Sequence, residues 1–288
     1  MTDHCSLAAW ISPGVRVAVI TGAGISTASG IAAYRRSDGS WKHAAPVQMQ
    51  EFLRDPAMRR RYWARSQIGW PRIASALPNP AHVALARLEG AGYLGGLITQ
   101  NVDGLHQRAG HRDVIELHGS LASVVCLGCD WTCARAQMQD WLAADNPWLA
   151  DAQATAAPDG DAAFADGIDL DGFRVRACPA CGGVLKPAVV FYGDSVPRTR
   201  VDEAYARVES ADVLLVAGSS LMVFSSFRFC RHAHARGIPI LAVNDGVTRA
   251  DDLLALKIEA DCGAVLGALA DAVVSPSTKP RATPTRGR

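Results

Sequence analysis

Short apolar runs rich in β-branched residues recur along the chain, and between them apolar residues return every three or four positions. Residues 15–21, 94–99, 114–117, 188–191, 213–217 and 239–243 have the length and flanking turn residues of buried strands. Residues 56–67, 81–91, 201–209, 226–236 and 264–274 carry the helical repeat. Asn79 with Pro80 supplies a cap and a first-turn proline for the second of these. Strands alternating with crossover helices predict an α/β fold: a Rossmann-like, mostly parallel sheet covered by helices on both faces. Ligands of such sheets sit beyond the C-terminal strand ends, so polar residues that directly follow an apolar run are the first candidates for function.

The alternation breaks between residues 121 and 186. That segment contains two C-x-x-C pairs and a stretch, 151–172, with six aspartates and neither Lys nor Arg, which reads as a solvated acidic loop. The predicted organisation is discontinuous. Residues 1–120 and 187–274 form a Rossmann-like domain, and 121–186 form an inserted small module that carries the cysteine pairs. Residues 275–288 combine three prolines with four basic residues and predict a disordered basic tail.

Charge and cysteine usage narrow the class. Among 288 residues, 29 basic and 28 acidic side chains leave a formal charge of +1, which argues against nucleic-acid binding through bulk charge. No apolar run approaches the roughly 20 residues of a membrane span, and the N-terminus lacks the basic segment, apolar run and cleavage site of a secretory signal. The expectation is a soluble, cytoplasmic protein with no membrane association and no direct nucleic-acid binding. In such a chain Cys126, Cys129, Cys178 and Cys181 read as a zinc site sooner than as disulfides. A closed four-thiolate set leaves no open coordination position, so the ion is structural. The 48 residues between the two pairs exceed the roughly 15–20 of a compact ribbon, so the intervening segment must loop out. Cys133 is an alternative ligand, the simpler reading being a free thiol.

Strand 15–21 runs into Gly22-Ala23-Gly24-Ile25-Ser26-Thr27-Ala28-Ser29-Gly30. Closely spaced glycines before a helix start let backbone N–H groups approach a pyrophosphate, though they also serve a plain tight turn. The third glycine of the common dinucleotide fingerprint is replaced by Thr27, and no acidic residue closes a second strand about 20 residues on, so a routine dehydrogenase fits poorly. Four more strand ends carry polar residues: Gln100, Asn101 and Asp103 after the second, His118 after the third, Ser219 and Ser220 after 213–217, and Asn244 and Asp245 after 239–243. An imidazole at such a position suits general-base work near neutral pH. His82, His106 and His111 have no such neighbours and read as structural or surface residues.

In order, GAGISTASGIAAYR, TQNVDGLH, ELHGS, the two cysteine pairs, KPAVVFYGD and GSSLMV resemble the sirtuin family over residues 22–223. The segment Arg60-Arg61-Tyr62-Trp63-Ala64-Arg65 and the Pro158-Asp159-Gly160-Asp161 run further resemble class II sirtuins, the group that includes the mitochondrial sirtuin four. The resemblance implies an NAD-dependent protein lysine deacylase that transfers the acyl group to ADP-ribose and releases nicotinamide, with one structural Zn2+ and acyl-lysine proteins as substrates. It further implies that His118 is the base that deprotonates a ribose hydroxyl and that Asn101 positions ribose and a water. Asp103 would hold the nicotinamide carboxamide, with Gln100 and Val102 beside it. Gly22, Ala23 and Gly24 would face the phosphates, with Ile25 and Ser26 in the same site. Tyr34 and Arg35 would belong to a mobile cofactor loop. Gly218, Ser219, Ser220, Asn244, Asp245, Gly246 and Cys262 would line the adenosine half, and Val189, Phe191 and Tyr192 would flank the substrate peptide.

Where the family usually has Glu and Pro-Asp this chain has Ala28 and Ala32-Ala33, which predicts a looser cofactor loop and slower turnover. Tyr62 and Arg65, three apart on a predicted helix, share a face. They resemble the pair with which some sirtuins bind an acyl carboxylate, so a preference for carboxylated acyl groups is one expectation and a solvated arginine face is the other. Two other functions compete with deacylation: ADP-ribosyl transfer to protein from the same NAD site, and a non-catalytic NAD-binding and zinc-ribbon interaction protein.

Overall fold

A computed structural model describes residues 3–42, 46–164 and 168–274. The basic tail expected at 275–288 lies outside them. The strands are β1 (Val17–Thr21), β2 (Leu94–Thr99), β3 (Val114–Glu116), β4 (Gly119–Cys126), β5 (Thr132–Ala134), β6 (Ala154–Ala156), β7 (Ala162–Phe164), β8 (Leu185–Val189), β9 (Val213–Ala217), β10 (Ile240–Val243) and β11 (Leu256–Ile258). The helices are α1 (Asp3–Ala8), α2 (Met49–Arg54), α3 (Pro56–Ser75), α4 (Pro80–Gly90), α5 (Leu105–Arg108), α6 (Arg135–Asp145), α7 (Arg198–Glu209), α8 (Phe224–Ala235) and α9 (Cys262–Val273).

Six strands form a parallel sheet in the order β11-β10-β9-β1-β2-β3. Alternate residues of the fully buried β1 feed two separate cores. Val17 and Val19 face Leu85, Leu88, Leu266 and Leu269 of α4 and α9, while Ala18 and Ile20 face Val201, Ala204, Val208 and Phe229 of α7 and α8. This is the predicted two-faced burial. From β1 the chain steps outward through β2 and β3, then returns to the other side of β1 at β9. The strand order reverses between β1 and β9, and a crevice opens there at the C-terminal edge. Thr21, Thr99 and Ala217 are in register at that edge.

A second layer is built around the cysteines. β4 pairs antiparallel with β5 and β8, Cys126 lying opposite Leu185. Of residues 188–191, expected as a strand of the alternation, 188 and 189 enter this three-stranded sheet instead, at the end of β8. The core beneath holds Trp63, Val124, Met138, Leu142 and Phe173. Trp63 is fully buried, and its indole N–H donates to the Leu185 carbonyl at 3.3 Å. Helix α3 therefore packs against the cysteine-bearing layer.

Helix α3 runs past residue 67, the expected end, to Ser75. Pro71 deprives the Gln67 carbonyl of its helical donor. The Gln139 side-chain amide, from α6, donates to that carbonyl at 2.8 Å instead. The acidic stretch also departs from expectation. Part of it is the β6–β7 hairpin, whose turn Pro158–Gly160 docks on α3. Contact is so close that a Cβ at Gly69 would stand 2.3 Å from the Gly160 carbonyl oxygen. Small residues on both partners allow that approach, and charge counting along the chain does not detect it.

Candidate active site

A cavity of about 640 Å³ opens at the C-terminal edge of the sheet. That volume is within the roughly 300–1,000 Å³ range of small-molecule sites. Its floor is the turn Ala23–Ser29 after β1. Gly24 N donates to the Gly218 carbonyl at 2.8 Å across the β1–β9 gap. A Cβ at Gly24 would lie 2.7 Å from that oxygen, so only glycine allows the two strand-end loops to meet. Gln100 ties the third loop in, its amide donating to Ser219 Oγ at 2.7 Å and to the Thr21 carbonyl at 3.2 Å.

Most expected site residues line this one cavity. Ala23, Gly24, Tyr34, Arg35, Gln100, Asn101, Val102 and His118 do so, as do Gly218, Ser219, Ser220, Asn244, Asp245 and Cys262. Tyr62, Arg65, Val189, Phe191 and Tyr192 line its other wall. Gly22, Ile25, Ser26, Asp103 and Gly246 are not among its lining residues. Ser26 and Asp103 stand behind the wall in a network: Asn101 Nδ2 donates to Ser26 Oγ at 3.0 Å, and Ser26 Oγ donates to Asp103 Oδ2 at 2.7 Å. Burial raises the Asp103 carboxyl above its ordinary pKa. Behind Ser26 lie His82, His106 and His111, buried ring against ring, so the structural reading of these three holds. Burial drives the Cys262 thiol up to about 12, so it is a neutral wall group and no nucleophile.

His118 sits in the turn between β3 and β4. Its Nδ1 lies 3.0 Å from the Gln100 carbonyl, an acceptor only. Nδ1 therefore carries the proton, and the lone pair of the neutral ring is on Nε2. Nε2 lies 2.8 Å from Ser225 Oγ, which donates to it. Burial lowers the ring's pKa, helped by Arg200 and Arg228 and opposed by the Gln100 carbonyl. The imidazole is thus unprotonated at neutral pH, with its basic nitrogen on the cavity side.

Three further residues escaped sequence reasoning. Ser225 has no signal beyond a hydroxyl at a helix start. Asp159 and Asp161 belong to the hairpin turn taken for a solvated loop. Tyr34 donates its hydroxyl to Asp159, whose carboxyl burial raises to about 6. Arg65 Nη2 meets Asp161 Oδ2 at 2.5 Å, and Arg65 Nε donates to the Ala162 carbonyl at 2.7 Å. Arg65 is thus paired with an acidic side chain and a backbone carbonyl in this structure.

The four paired cysteines converge on one point. Their Sγ atoms all lie within 4.8 Å of one another, with Cys126–Cys181 at 3.5 Å and Cys129–Cys178 at 3.7 Å. Thiolates around a tetrahedral zinc with Zn–S near 2.3 Å stand about 3.8 Å apart, so the set fits one structural zinc ion. Gly128 N points at Cys126 Sγ (3.3 Å), and a Cβ at Gly183 would press on the same sulfur at 2.9 Å. Cys133 is not in the set.

Taken together, a glycine-lined crevice at a strand-order reversal, a neutral histidine at its edge and a four-thiolate module define a nucleotide-binding α/β protein with a structural metal layer. The family is narrower still. Residues 22–225 match the Sir2 family profile, and the chain belongs to that family. An NAD-dependent protein deacetylase of Xanthomonas campestris pv. campestris is 54% identical over 254 residues, 88% of this chain and 86% of that protein. One of Bordetella bronchiseptica is 51% identical over 266 residues, 92% of this chain and 97% of that protein. Among solved structures, a Sir2 homologue complexed with NAD superposes with a TM-score of 0.72 at 30% identity, covering 93% of each chain. A Sir2 mutant bound to a p53 peptide and NAD gives 0.74 at 26% identity, covering 94% of this chain and 98% of that one.

Proposed function

We propose that this chain is an NAD-dependent protein lysine deacylase. The observation that carries the reading is His118, neutral and held by the Gln100 carbonyl with Nε2 toward the cavity. It stands within one cavity with a glycine cradle suited to a dinucleotide. The names of the bacterial relatives and the NAD-bound neighbour support the same chemistry.

When bound, NAD supplies an electrophilic ribose carbon, a ribose hydroxyl and a nicotinamide leaving group. Gly24 and the facing Gly218 loop leave room for the phosphates. Asn101, whose Nδ2 donates to the Gly22 carbonyl and Ser26 Oγ, would have its amide oxygen left for the ribose or a water, and Asp103 braces that arrangement from behind. Ser219, Ser220, Asn244, Asp245 and Cys262 form the wall for the adenosine half. His118 Nε2 would accept the proton of a ribose hydroxyl of bound NAD. Val189, Phe191 and Tyr192 form the wall along which an acyl-lysine peptide adds as an extended strand. The four cysteines hold zinc remote from this chemistry, as a brace for the layer that carries α3. A cytoplasmic setting belongs to the same proposal, supported by cysteines arranged for metal and not for disulfides. Among the described residues no helix is long and apolar enough to cross a membrane.

The acyl class follows from Arg65. With its guanidinium already engaged by Asp161, the reading the geometry supports is removal of acetyl and other neutral acyl groups. A carboxylated acyl group must displace Asp161 before it can use the Tyr62–Arg65 pair. The test is a panel of acyl-lysine peptides with NAD, followed by mass spectrometry and nicotinamide release. Wild type should deacylate with NAD consumption, and H118A should bind NAD but turn over at least 100-fold more slowly (~10² for a lost general base). Transfer of ADP-ribose to protein without deacylation, or undiminished turnover in H118A, would overturn the reading.

A further inference from the structure

His118 is held by two elements, and only one of them, the Gln100 carbonyl, comes from the strand ends that define the family's site. The other is the first turn of α8. Ser225 donates to Nε2 at 2.8 Å. Its neighbour Ser226 is different: its hydroxyl donates to the Val223 carbonyl at 3.0 Å, as an ordinary helix-start serine does. One helical turn on from Ser225, on the same face, Arg228 lines the cavity. Its Nε is buried without a hydrogen-bond partner, its guanidinium carbon stands 5.4 Å over the Phe224 ring, and no ion pair to it exists among the described residues. Arg228 therefore keeps an uncancelled charge beside the base.

We propose that Ser225 and Arg228 are positioning residues for His118, with Ser225 holding Nε2 on aim until the substrate hydroxyl arrives and Arg228 disfavouring a proton on the ring. The inference rests on His118 being the base. The imidazole lone pair accepts one in-plane hydrogen bond. When the ribose hydroxyl donates to Nε2, Ser225 must release it, and its oxygen is then adjacent to the incoming hydroxyl and able to bond to it. The proton moves from that hydroxyl to Nε2, and the electron pair stays on the oxygen. An unprotonated Nε2 is required, and the charges facing the ring serve that need. Arg200 from α7 and Arg228 from α8 both face it, and Glu116 on the preceding strand is turned to Ser120 and Gln107. The N-terminal end of α8 adds a partial positive charge of the same sign.

The test uses wild type, S225A, S225T, R228Q and R228K with NAD and an acetyl-lysine peptide, together with NMR titration of the His118 ring in the free protein, its signal assigned by its loss in H118A. Loss of the Ser225 hydroxyl should lower kcat about 3- to 10-fold, the equivalent of one neutral hydrogen bond, with KM for NAD within twofold. S225T should restore it. R228Q should raise the His118 midpoint by about 0.5 pH unit or more, shifting the acid limb of kcat/KM to higher pH, and R228K should leave both in place. Equal kcat in S225A and wild type, S225T as impaired as S225A, or a wild-type titration in R228Q would overturn the proposal. Wild type that removes no acyl group would instead strike the deacylase reading, and the NMR titration would still decide the role of Arg228.

Discussion

Asp161→Asn is the perturbation that separates the two acyl readings. Arg65 and Asp161 meet at 2.5 Å with side chains only 20% and 31% exposed, so the pair is shielded from bulk water. Burial raises the Asp161 carboxyl above its ordinary pKa in spite of Arg65, which marks it as a carboxylate held there against a desolvation penalty. In wild type, a substrate carboxylate that reaches Arg65 exchanges one charge-assisted bond for another and gains little. D161N leaves Arg65 a neutral acceptor. Charge-assisted bonds contribute about 1.5–3 kcal/mol against about 0.5–1.5 for neutral ones. The substrate carboxylate should then gain about 1–2 kcal/mol, or roughly 5- to 30-fold in kcat/KM. The assay is the ratio of kcat/KM for succinyl- to acetyl-lysine peptide in wild type, D161N and the double variant with R65M. Wild type should favour acetyl, D161N should raise the ratio by that factor, and R65M should cancel the rise. A ratio unchanged by D161N would refute the reasoning, because Arg65 would then play no part in reading the acyl end.

Three further outcomes follow from other parts of the molecule. Chelation of zinc, or Cys181→Ser, should release about one zinc per chain by elemental analysis and lower the melting temperature, since a structural metal contributes folding free energy; folded wild-type protein without zinc would contradict this. Gly24→Ala should weaken NAD binding at least tenfold by calorimetry, because its Cβ would press on the Gly218 carbonyl at 2.7 Å, whereas Gly90→Ala, with nothing within 4 Å, should bind NAD as wild type does. Burial lowers His82 from 6.5 to about 4. Both states are neutral above about pH 6.5, and as the pH falls the unfolded chain takes the proton first. Stability should thus decline between those values by about 3 kcal/mol. Asp159, raised to about 6, acts in the opposite sense, so urea midpoints of wild type and His82→Gln are compared at each pH; parallel curves between pH 7 and 4.5 would reject the assignment.

Five of the six strands of the parallel sheet were legible as local signals, and the three-residue edge strand β11 was not. Val17, Val19, Ala18 and Ile20 are apolar on both sides, and such runs belong only in a sheet covered twice. The glycine turn, the Gln100–Asp103 run and His118 were legible for a related reason: each directly follows a strand, and a parallel sheet brings all such ends to one edge. The cysteine set was readable from spacing alone, since C-x-x-C twice is a metal pattern before any fold is known. Helix α3 was expected to end at residue 67, and the donor that lets it continue past Pro71, Gln139, is 72 residues away from Gln67.

The reading of charge fails for a different reason, and Arg65 shows why. In the sequence its partner is invisible, because Asp161 lies 96 residues further on. A guanidinium beside a phenol reads as a free anion site, and six aspartates without a basic residue read as solvent-facing. Each inference treats a charge as unpaired unless a neighbour on the same helix or strand pairs it. Folding removes that premise twice in one place: Asp161 pairs with Arg65, and Asp159 accepts from Tyr34. The hairpin turn that presents both carboxylates is held by packing of Gly160 against Ile73 and Gly69 of α3, contacts between small and apolar groups that carry no charge signature. Arg228 is the converse. The eight residues on either side of it contain no acidic partner, and none is supplied among the described residues. Whether a charged side chain is free is decided by tertiary contacts. In this chain Arg65 is paired by a carboxylate 96 residues away, and Arg228 has no ion-pair partner among the described residues.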